Sequence, residues 1–192
     1  MHVSAPDPSL SDGVVNLRPP DERDLTAIDL GIHDPDVVRW FGQPDSSAME
    51  VLILNRRRWA DGSPTFAICE TDGACVGHVW VNVRTDDSSS GSVGYWLLPM
   101  ARGRGLATRA VRLISSWAVS DLGIKRLRLV TEPANERSQH VAERSGFQRI
   151  GILADDAEID GRSIDHILYE LPADRHDTGG AVLRPPGGIN AR

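Results

Sequence analysis

The stretch ARGRGLATRA, residues 101–110, alternates small side chains with arginines just ahead of a helical pattern. The alternating residues are Arg102, Gly103, Arg104, Gly105 and Ala107. A helix N-terminus presents backbone N–H groups that lack intrahelical partners, and its dipole favours negative charge. Small residues let a phosphate approach the backbone, and arginines add charge-assisted hydrogen bonds. The stretch therefore predicts an anion-binding turn between a strand and a helix, with a flexible loop carrying solvated arginines as the alternative.

The flanking sequence predicts where this turn lies in the fold. The segment GSVGYWLLP, residues 91–99, alternates as a strand, and residues 106–123 place apolar side chains at helical spacing up to Gly123. Upstream, PTFAICE and CVGHVWVNV straddle an Asp-Gly turn as an antiparallel hairpin. A P-loop is excluded because no Gly-Lys-Ser/Thr follows the turn, and a Rossmann fingerprint fits poorly because the glycine spacing differs.

The remaining sequence alternates between the two kinds of element. Helices are predicted over DERDLTAIDLGI, DPDVVRWFG, SSAMEVLILNRRRWADG and NERSQHVAERSG, with Asp21 and Asn135 as N-caps. Strands are predicted over VVNLRPP, KRLRLV, FQRIGIL and RSIDHILYEL. We expect an α/β (α+β) fold, namely a mostly antiparallel sheet covered by helices, with one strand–helix–strand crossover around residues 93–130.

Length and composition indicate one globular domain of ordinary make-up. The chain has 192 residues, of which 40% are hydrophobic and 25% charged. We expect a flexible N-terminus over residues 1–12, a single domain over 13–171 and a flexible Pro/Gly-rich tail over 172–192. No run approaches the roughly 18 apolar residues of a membrane helix, and MHVSAPDPSL lacks signal-peptide features, so a cytoplasmic protein is expected. The net charge of -6 argues against nucleic-acid binding and suits a cationic partner such as an amine.

Two cysteines, Cys69 and Cys75, flank the segment ETDGA. If Asp72 and Gly73 form a two-residue hairpin turn, Cys69 pairs with Val76 across the hairpin. Strand alternation then points the two sulfurs to opposite faces, which predicts free, reduced, structural cysteines. The six histidines and two cysteines show no metal-ligand spacing, so no metal site is predicted.

The stretch VGYWLLPMARGRGLATRAVRLISSWA, followed by NERSQHVAERSGF, resembles the GNAT superfamily of acyl-CoA-dependent N-acetyltransferases. Its acetyl-CoA loop follows the pattern Gln/Arg-x-x-Gly-x-Gly/Ala, which Arg102, Gly105 and Ala107 fill here. The closer resemblance is to the ribosomal-protein N-terminal acetyltransferases of the RimJ/RimL type, which share an Asn-x-x-Ser helix start leading to Gly-Phe. The matching residues are Asn135, Ser138, Gly146 and Phe147. The similarity covers roughly residues 14–171 and implies a GNAT fold with a central strand splay and helices on both faces of the sheet.

The resemblance also implies roles for individual residues. Backbone amides of the loop would cradle the pyrophosphate of acetyl-CoA, with the arginines at 102 and 104 nearby; the amides are those of Gly103, Arg104, Gly105, Leu106, Ala107 and Thr108. The strand YWLLP would splay at a bulge and hold the pantetheine arm, and the amide of Leu97 or Leu98 would polarise the thioester carbonyl. Asn135 would bond the pantetheine arm or serve simply as a helix cap. Ser138 would donate a proton or hydrogen bond to the departing sulfur, or be a surface serine.

The implied reaction is direct attack of a neutral amine on the thioester, with a protein N-terminus or a small molecule such as an antibiotic as acceptor. The protein would act as a monomer or homodimer. Ser92 replaces the glutamate that many relatives carry, so no general base is assigned. Acidic alternatives, unless they form a solvated loop, are Asp155, Asp156 and Glu158, and three histidines are expected to be structural, namely His33, His78 and His166. The alternative function is a catalytically silent CoA-binding regulatory or interaction module.

Overall fold

The computed structural model describes residues 9–42, 45–159 and 162–172, except for the side chains of 157–159 and 162. In this part of the chain eight strands form one twisted sheet. The strands are β1 (Leu10–Ser11), β2 (Asn16–Arg18), β3 (Thr65–Cys69), β4 (Cys75–Val83), β5 (Ser90–Leu97), β6 (Arg126–Thr131), β7 (Gln148–Ile159) and β8 (Arg162–Glu170). The helices are α1 (Leu25–Ile32), α2 (Pro35–Phe41), α3 (Ala48–Ala60), α4 (Leu106–Ser120) and α5 (Glu136–Arg144). The expected mostly antiparallel α/β architecture is confirmed.

The sheet opens at its centre. Its strand order is β1-β2-β3-β4-β5-β6-β8-β7, and β5 and β6, joined through the crossover helix α4, form its parallel pair. That pair is short, because Ser90–Ser92 align with Arg126–Arg128 and pairing then stops. Beyond it β5 continues to Leu97 against β4, while β6 continues to Thr131 against β8. The predicted splay between β5 and β6 is therefore present. The expected bulge in β5 is not, because the register between β4 and β5 is unbroken.

Helices cover both faces of the sheet. Strand alternation sends Val79 and Val81 into the main core with the apolar side of α4. On the opposite face the buried His78 meets Asn55 of α3, at 3.3 Å from its Nδ1. A smaller cluster joins α1 to α3 through Ile28, Ile32 and Leu52. Among the described residues, no helix is long and apolar enough to cross a membrane.

Side-chain caps fix where the helices begin. The predicted cap Asp21 accepts a hydrogen bond from the backbone N–H of Arg23 at the start of a short 3-10 turn that leads into α1. Asp34 caps α2 and Ser47 caps α3. Asn135 caps α5 by accepting from the N–H of Ser138, as the sequence predicted.

The first strand pairing of the sheet lies inside the segment predicted to be a flexible N-terminus. The flexible N-terminal segment was expected to extend through residue 12, yet Leu10–Ser11 pair with β2, and Asp12 forms a 2.7 Å ion pair with Arg109 of α4. Residues 1–8 and the predicted tail from residue 173 onward lie outside the described part of the chain.

The predicted hairpin register is wrong at its closed end. Cys69 pairs with Cys75, not with Val76, because the register shifts between Ile68 and Cys69. Residues directly opposite each other point to the same face, so the two sulfurs are neighbours. Both thiols are free, as expected, but they interact: the Cys75 thiol lowers the pKa of Cys69, and the Cys69 thiol raises the pKa of Cys75.

This register leads to a prediction about oxidation. Opposed residues on antiparallel strands have Cα atoms about 4.5–5.5 Å apart, within the range that a disulfide spans. Treatment with oxidised glutathione should therefore join Cys69 to Cys75, and thiol titration of the denatured monomer should fall from two groups to none. Cys75→Ser provides the control, because it should keep one thiol. Two remaining thiols in the treated wild type would contradict the pairing.

Candidate functional site

The amide of Leu97 points into the gap between β5 and β6. The Leu98 N–H donates to the Val76 carbonyl at 2.9 Å, while Gly77 and Leu97 are cross-strand partners. In an antiparallel ladder this makes Gly77–Leu97 a pair without mutual hydrogen bonds, so the N–H and C=O of Leu97 point away from β4. The Leu97 carbonyl accepts from Nε of Arg102 at 3.0 Å, which leaves its N–H facing the gap. Of the two leucines the sequence proposed, Leu97 has the available amide and Leu98 does not.

A glycine loop, residues 102–105, lies between the end of β5 and the first turn of α4. Gly103 and Gly105 have φ values of +73° and +76°, in the left-handed region that glycine adopts without strain. A Cβ built on either residue meets nothing within 4 Å, so open space lies over the loop. The Arg109 N–H donates to the Gly105 carbonyl at 3.2 Å, and the preceding amides of α4 therefore lack intrahelical acceptors. The loop has the free amides and the open approach that an anion requires.

The two arginines of the loop are committed to protein partners. The guanidinium of Arg102 binds the Leu97 carbonyl and two carboxylates, that of Asp34 just before α2 and that of Asp36 in its first turn. Arg104 forms a 2.5 Å ion pair with Glu70 at the end of the β3–β4 hairpin. The side chain of Arg102 thus joins α2 to β5, and that of Arg104 joins the loop to the hairpin, so the amides of the loop remain its free donors.

Helix α5 brings Ser138 to the same gap. Asn135 Oδ1 accepts a hydrogen bond from the backbone N–H of Ser138 at 3.1 Å. This cap does not use the side-chain hydroxyl of Ser138. That hydroxyl contacts the phenol of Tyr95 on β5. Burial raises the pKa of Tyr95 to about 12, and the Ser138 contact opposes the shift. Sequence reasoning missed Tyr95 as a site residue, although it lies in the quoted strand YWLLP.

These groups line one cavity of about 960 Å³ that passes through the splay. Its walls include every residue from Ser92 to Leu97 on β5, together with Gly103, Gly105 and the first residues of α4. On the α5 side, Asn135 and Ser138 line it. A neighbouring cavity of about 310 Å³ is lined by Asp12, Gly105, Thr108, Arg109, Arg112 and Arg144, and within it Arg109 is ion-paired with Asp12.

The other end of the cavity, here called the aromatic end, is lined by Trp40, Phe41 and Trp80. Phe41 and Trp80 meet edge to face, with ring centroids 5.6 Å apart. Trp80 lies across Gly94, where an added Cβ would stand 2.4 Å from its ring, so this wall requires glycine. Ser92 also lines the cavity.

Only some of the candidate acid and base residues line the cavity. His166 and Asp156 line the cavity, with Nδ1 of His166 2.8 Å from Oδ2 of Asp156. His33 is exposed beside Asp29, and burial lowers the pKa of His78 to about 4; neither histidine lines the cavity. Asp155 hydrogen-bonds Ser163, and the side chain of Glu158 lies outside the described residues. No cluster of metal ligands occurs among the described residues.

A sheet that splays beside a glycine-rich helix N-terminus, with a strand amide aimed into the gap, is the architecture of an N-acetyltransferase. The comparison with protein families agrees: residues 15–148 match the model described as "Acetyltransferase (GNAT) domain", and the chain belongs to this family.

The relatives of this chain are named for different acetyl acceptors. The chain is 26% identical over 177 residues to spermidine N(1)-acetyltransferase of Escherichia coli (strain K12), covering 89% of this chain and 95% of that one. The solved structure of Mycobacterium smegmatis RimJ in complex with CoA-disulfide is 26% identical, with a TM-score of 0.73 over 82% of this chain and 81% of that one. The ribosomal-protein-S5-alanine acetyltransferase of Vibrio fischeri, 21% identical, shares the fold with a TM-score of 0.73 over 88% of this chain and 99% of that one. The RimJ/RimL-type resemblance is thereby confirmed.

Proposed function

We propose that this N-acetyltransferase uses acetyl-CoA as donor and transfers its acetyl group directly to a primary amine held at the aromatic end. The proposal rests above all on the Leu97 amide, which points into the gap beside the glycine loop. A fixed N–H at this place would bind the thioester oxygen as negative charge develops on it. Because the donor group is supplied by the strand backbone, its position is set by the β4–β5 register and not by a side-chain rotamer.

The cavity is suited to an extended donor. The pyrophosphate would bind the amides from Gly103 to Thr108, where the left-handed glycines leave open space. The pantetheine arm would lie in the gap beside β5, within reach of the side-chain amide nitrogen of Asn135. The arginines of the smaller cavity would face the nucleotide phosphates.

The proton inventory also fits amide formation. A protonated amine, acetyl-CoA and the enzyme give an amide, free CoA thiol and one proton released to solvent. The departing sulfur would receive its proton from the Ser138–Tyr95 pair, which lies on the α5 side of the gap. The phenol of Tyr95, whose pKa burial raises to about 12, is protonated at neutral pH and would hydrogen-bond the sulfur through Ser138, although the raised pKa makes it a weaker acid than an ordinary tyrosine.

The acceptor class is tested by measuring free CoA. We expect wild-type protein with acetyl-CoA to release CoA thiol in the presence of at least one of three probes: an alanine-initiated peptide, spermidine or an aminoglycoside. A mass increase of one acetyl group on that amine would identify the product. Binding of acetyl-CoA by calorimetry without turnover on any probe would instead favour the silent CoA-binding module, an alternative motivated by Ser92.

A further inference from the structure

We propose that His166, oriented by Asp156, is the catalytic base that takes a proton from the attacking amine. This inference rests on the proposed acetyl transfer at the same cavity and assigns the one role that Ser92 leaves open. His166 would touch the acceptor nitrogen and is therefore a catalytic residue, while Asp156 acts through it as a positioning residue.

Strand alternation places His166 on the acceptor side of the sheet. Its neighbours Ile167 and Tyr169 are buried in the main core with α4. Successive side chains on a strand point to opposite faces, so His166 faces the side of Trp80 and Gly94. Ser138 and Tyr95 belong to the α5 side, which means that the proposed base and the proposed acid approach the gap from opposite faces. Amide formation needs this separation, because one proton leaves the nitrogen as another reaches the sulfur.

Asp156 fixes which nitrogen of His166 can accept a proton. An ionised carboxylate only accepts hydrogen bonds, so Nδ1 carries the hydrogen and donates it to Oδ2 at 2.8 Å. Nε2 then holds the lone pair, and it has no hydrogen-bond partner among the described residues. The two side chains are 17% and 14% exposed, so water reaches them but does not surround them. The pair matches the geometry of a base and its orienting carboxylate.

A distortion of β7 aims Asp156 at His166. Leu153 aligns with His166 and the next aligned pair is Ala157 with Ile164, so β7 advances four residues where β8 advances two. Within this bulge Asp155 has φ +52°, a conformation that is uncommon for a residue other than glycine. Its N–H donates to Oδ1 of Asp165 at 3.1 Å and its carboxylate accepts from the Ser163 hydroxyl. Bulges near active sites commonly re-aim a side chain, and neighbouring polar groups hold this one in place.

The proton transfers balance with His166 as base. Nε2 takes one proton from the ammonium form of the acceptor and passes it to solvent, and the freed nitrogen lone pair forms the bond to the thioester carbon. As the C–S bond breaks, Nε2 takes the second proton from the nitrogen and the sulfur takes one from the Ser138–Tyr95 pair. The proton on His166 then returns through solvent to that pair, so one proton is released for each amide formed.

Other ionisable side chains also line the cavity. The ionisable side chains that line its described part, besides the pair itself, are Asp36, Tyr95, Arg102, Glu132, Arg137, His140 and Arg144. Asp36 is ion-paired with both Arg102 and Arg137. Asp156 is the carboxylate bonded to His166, and it is therefore the group whose removal should release the orientation of that imidazole.

The test compares His166→Gln and Asp156→Asn with wild type, using whichever of the three amine probes is acetylated. We expect His166→Gln to lower kcat by about 10²–10⁴-fold, with acetyl-CoA affinity by calorimetry unchanged. Asp156→Asn should also lower kcat and spare acetyl-CoA affinity, because the imidazole loses the carboxylate that orients it. Asp156→Glu, which keeps a carboxylate, should recover part of that loss. His33→Gln, which alters an exposed His–Asp pair outside the cavity, is the matched control and should leave kcat unchanged.

Imidazole NMR gives a readout independent of turnover. The ring ¹⁵N signals of His166 should show the hydrogen on Nδ1 in wild type, and Asp156→Asn should lose that tautomer preference because the carboxylate that accepts from Nδ1 is gone. An unchanged tautomer in Asp156→Asn, or full kcat in His166→Gln, would overturn the base assignment while leaving acetyl transfer intact. A wild type that acetylates none of the probes would overturn the proposed function and this inference together.

Discussion

Alanine at position 138 is expected to lower kcat by about 10²–10⁴-fold while acetyl-CoA still binds almost normally. The hydroxyl would meet the sulfur mainly as negative charge develops on it, so the contact strengthens in the transition state. Loss of such an interaction lowers kcat and kcat/KM together and spares ground-state affinity. Stopped assays of CoA thiol release and calorimetry with acetyl-CoA measure the two quantities separately.

The local structure makes this a clean substitution. The Asn135 cap accepts from the backbone N–H of Ser138, which alanine retains, so α5 should keep its start. Asn135→Ala should behave differently, losing about 0.5–2 kcal/mol of stability with the cap and weakening CoA binding as well. Tyr95→Phe distinguishes the donor within the pair, because it removes the phenol but keeps the serine. Full kcat in Ser138→Ala, with fold and CoA affinity intact, would rule out the serine and leave Tyr95 or water as the proton source.

Valine at position 105 is expected to produce the largest loss of donor binding. Its side chain would occupy the open space over the glycine loop, and a β-branched residue resists the φ of +76° found there. Each charge-assisted hydrogen bond lost from the pyrophosphate costs about 1.5–3 kcal/mol, or about 10- to 150-fold in affinity. Calorimetry with acetyl-CoA and with CoA alone measures the change.

Backbone strain alone can be separated from loss of the site. Gly123 lies at the opposite end of α4 with φ +68° and equally open space around a built Cβ. Gly123→Val therefore introduces comparable strain into the same helix, away from the cavity, and should retain CoA affinity. Near-normal affinity in Gly105→Val would move the pyrophosphate away from residues 103–108.

Local sequence signals predicted much of this fold because they act over a few residues. The cap at Asn135, the helix starting at Leu106 and the positive-φ glycines follow from short-range preferences that packing reinforces. The shift between Ile68 and Cys69 did not follow, since a bulge depends on how the hairpin packs and not on its turn residues alone. A predicted two-residue turn consequently placed the cysteines on the wrong faces.

The site residues also differ in whether short-range sequence signals could predict them. Motif spacing pointed to Leu97, Gly105 and Ser138, which lie in contiguous stretches beside the crossover helix. The pair of Asp156 and His166 could not be found in this way, because it depends on a two-residue bulge between distant positions. The run Ile167-Leu168-Tyr169 is apolar on both faces of β8, so the sequence offered no alternation from which to place His166. Likewise, motif spacing could not reveal that the guanidinium of Arg102 is bound by the carboxylates of Asp34 and Asp36.

The placement of one cavity between the glycine loop and the aromatic end has a consequence for the kinetics of turnover. On the proposed function the donor would enter beside the loop and the acceptor at the aromatic end, so each would exchange with solvent while the other stays bound, and the two would meet in a ternary complex. Compounds that mimic the acceptor then compete with the amine and not with acetyl-CoA. A bisubstrate inhibitor, with both halves joined by a linker that threads the opening, gains the effective concentration of an intramolecular partner and is anchored at each end.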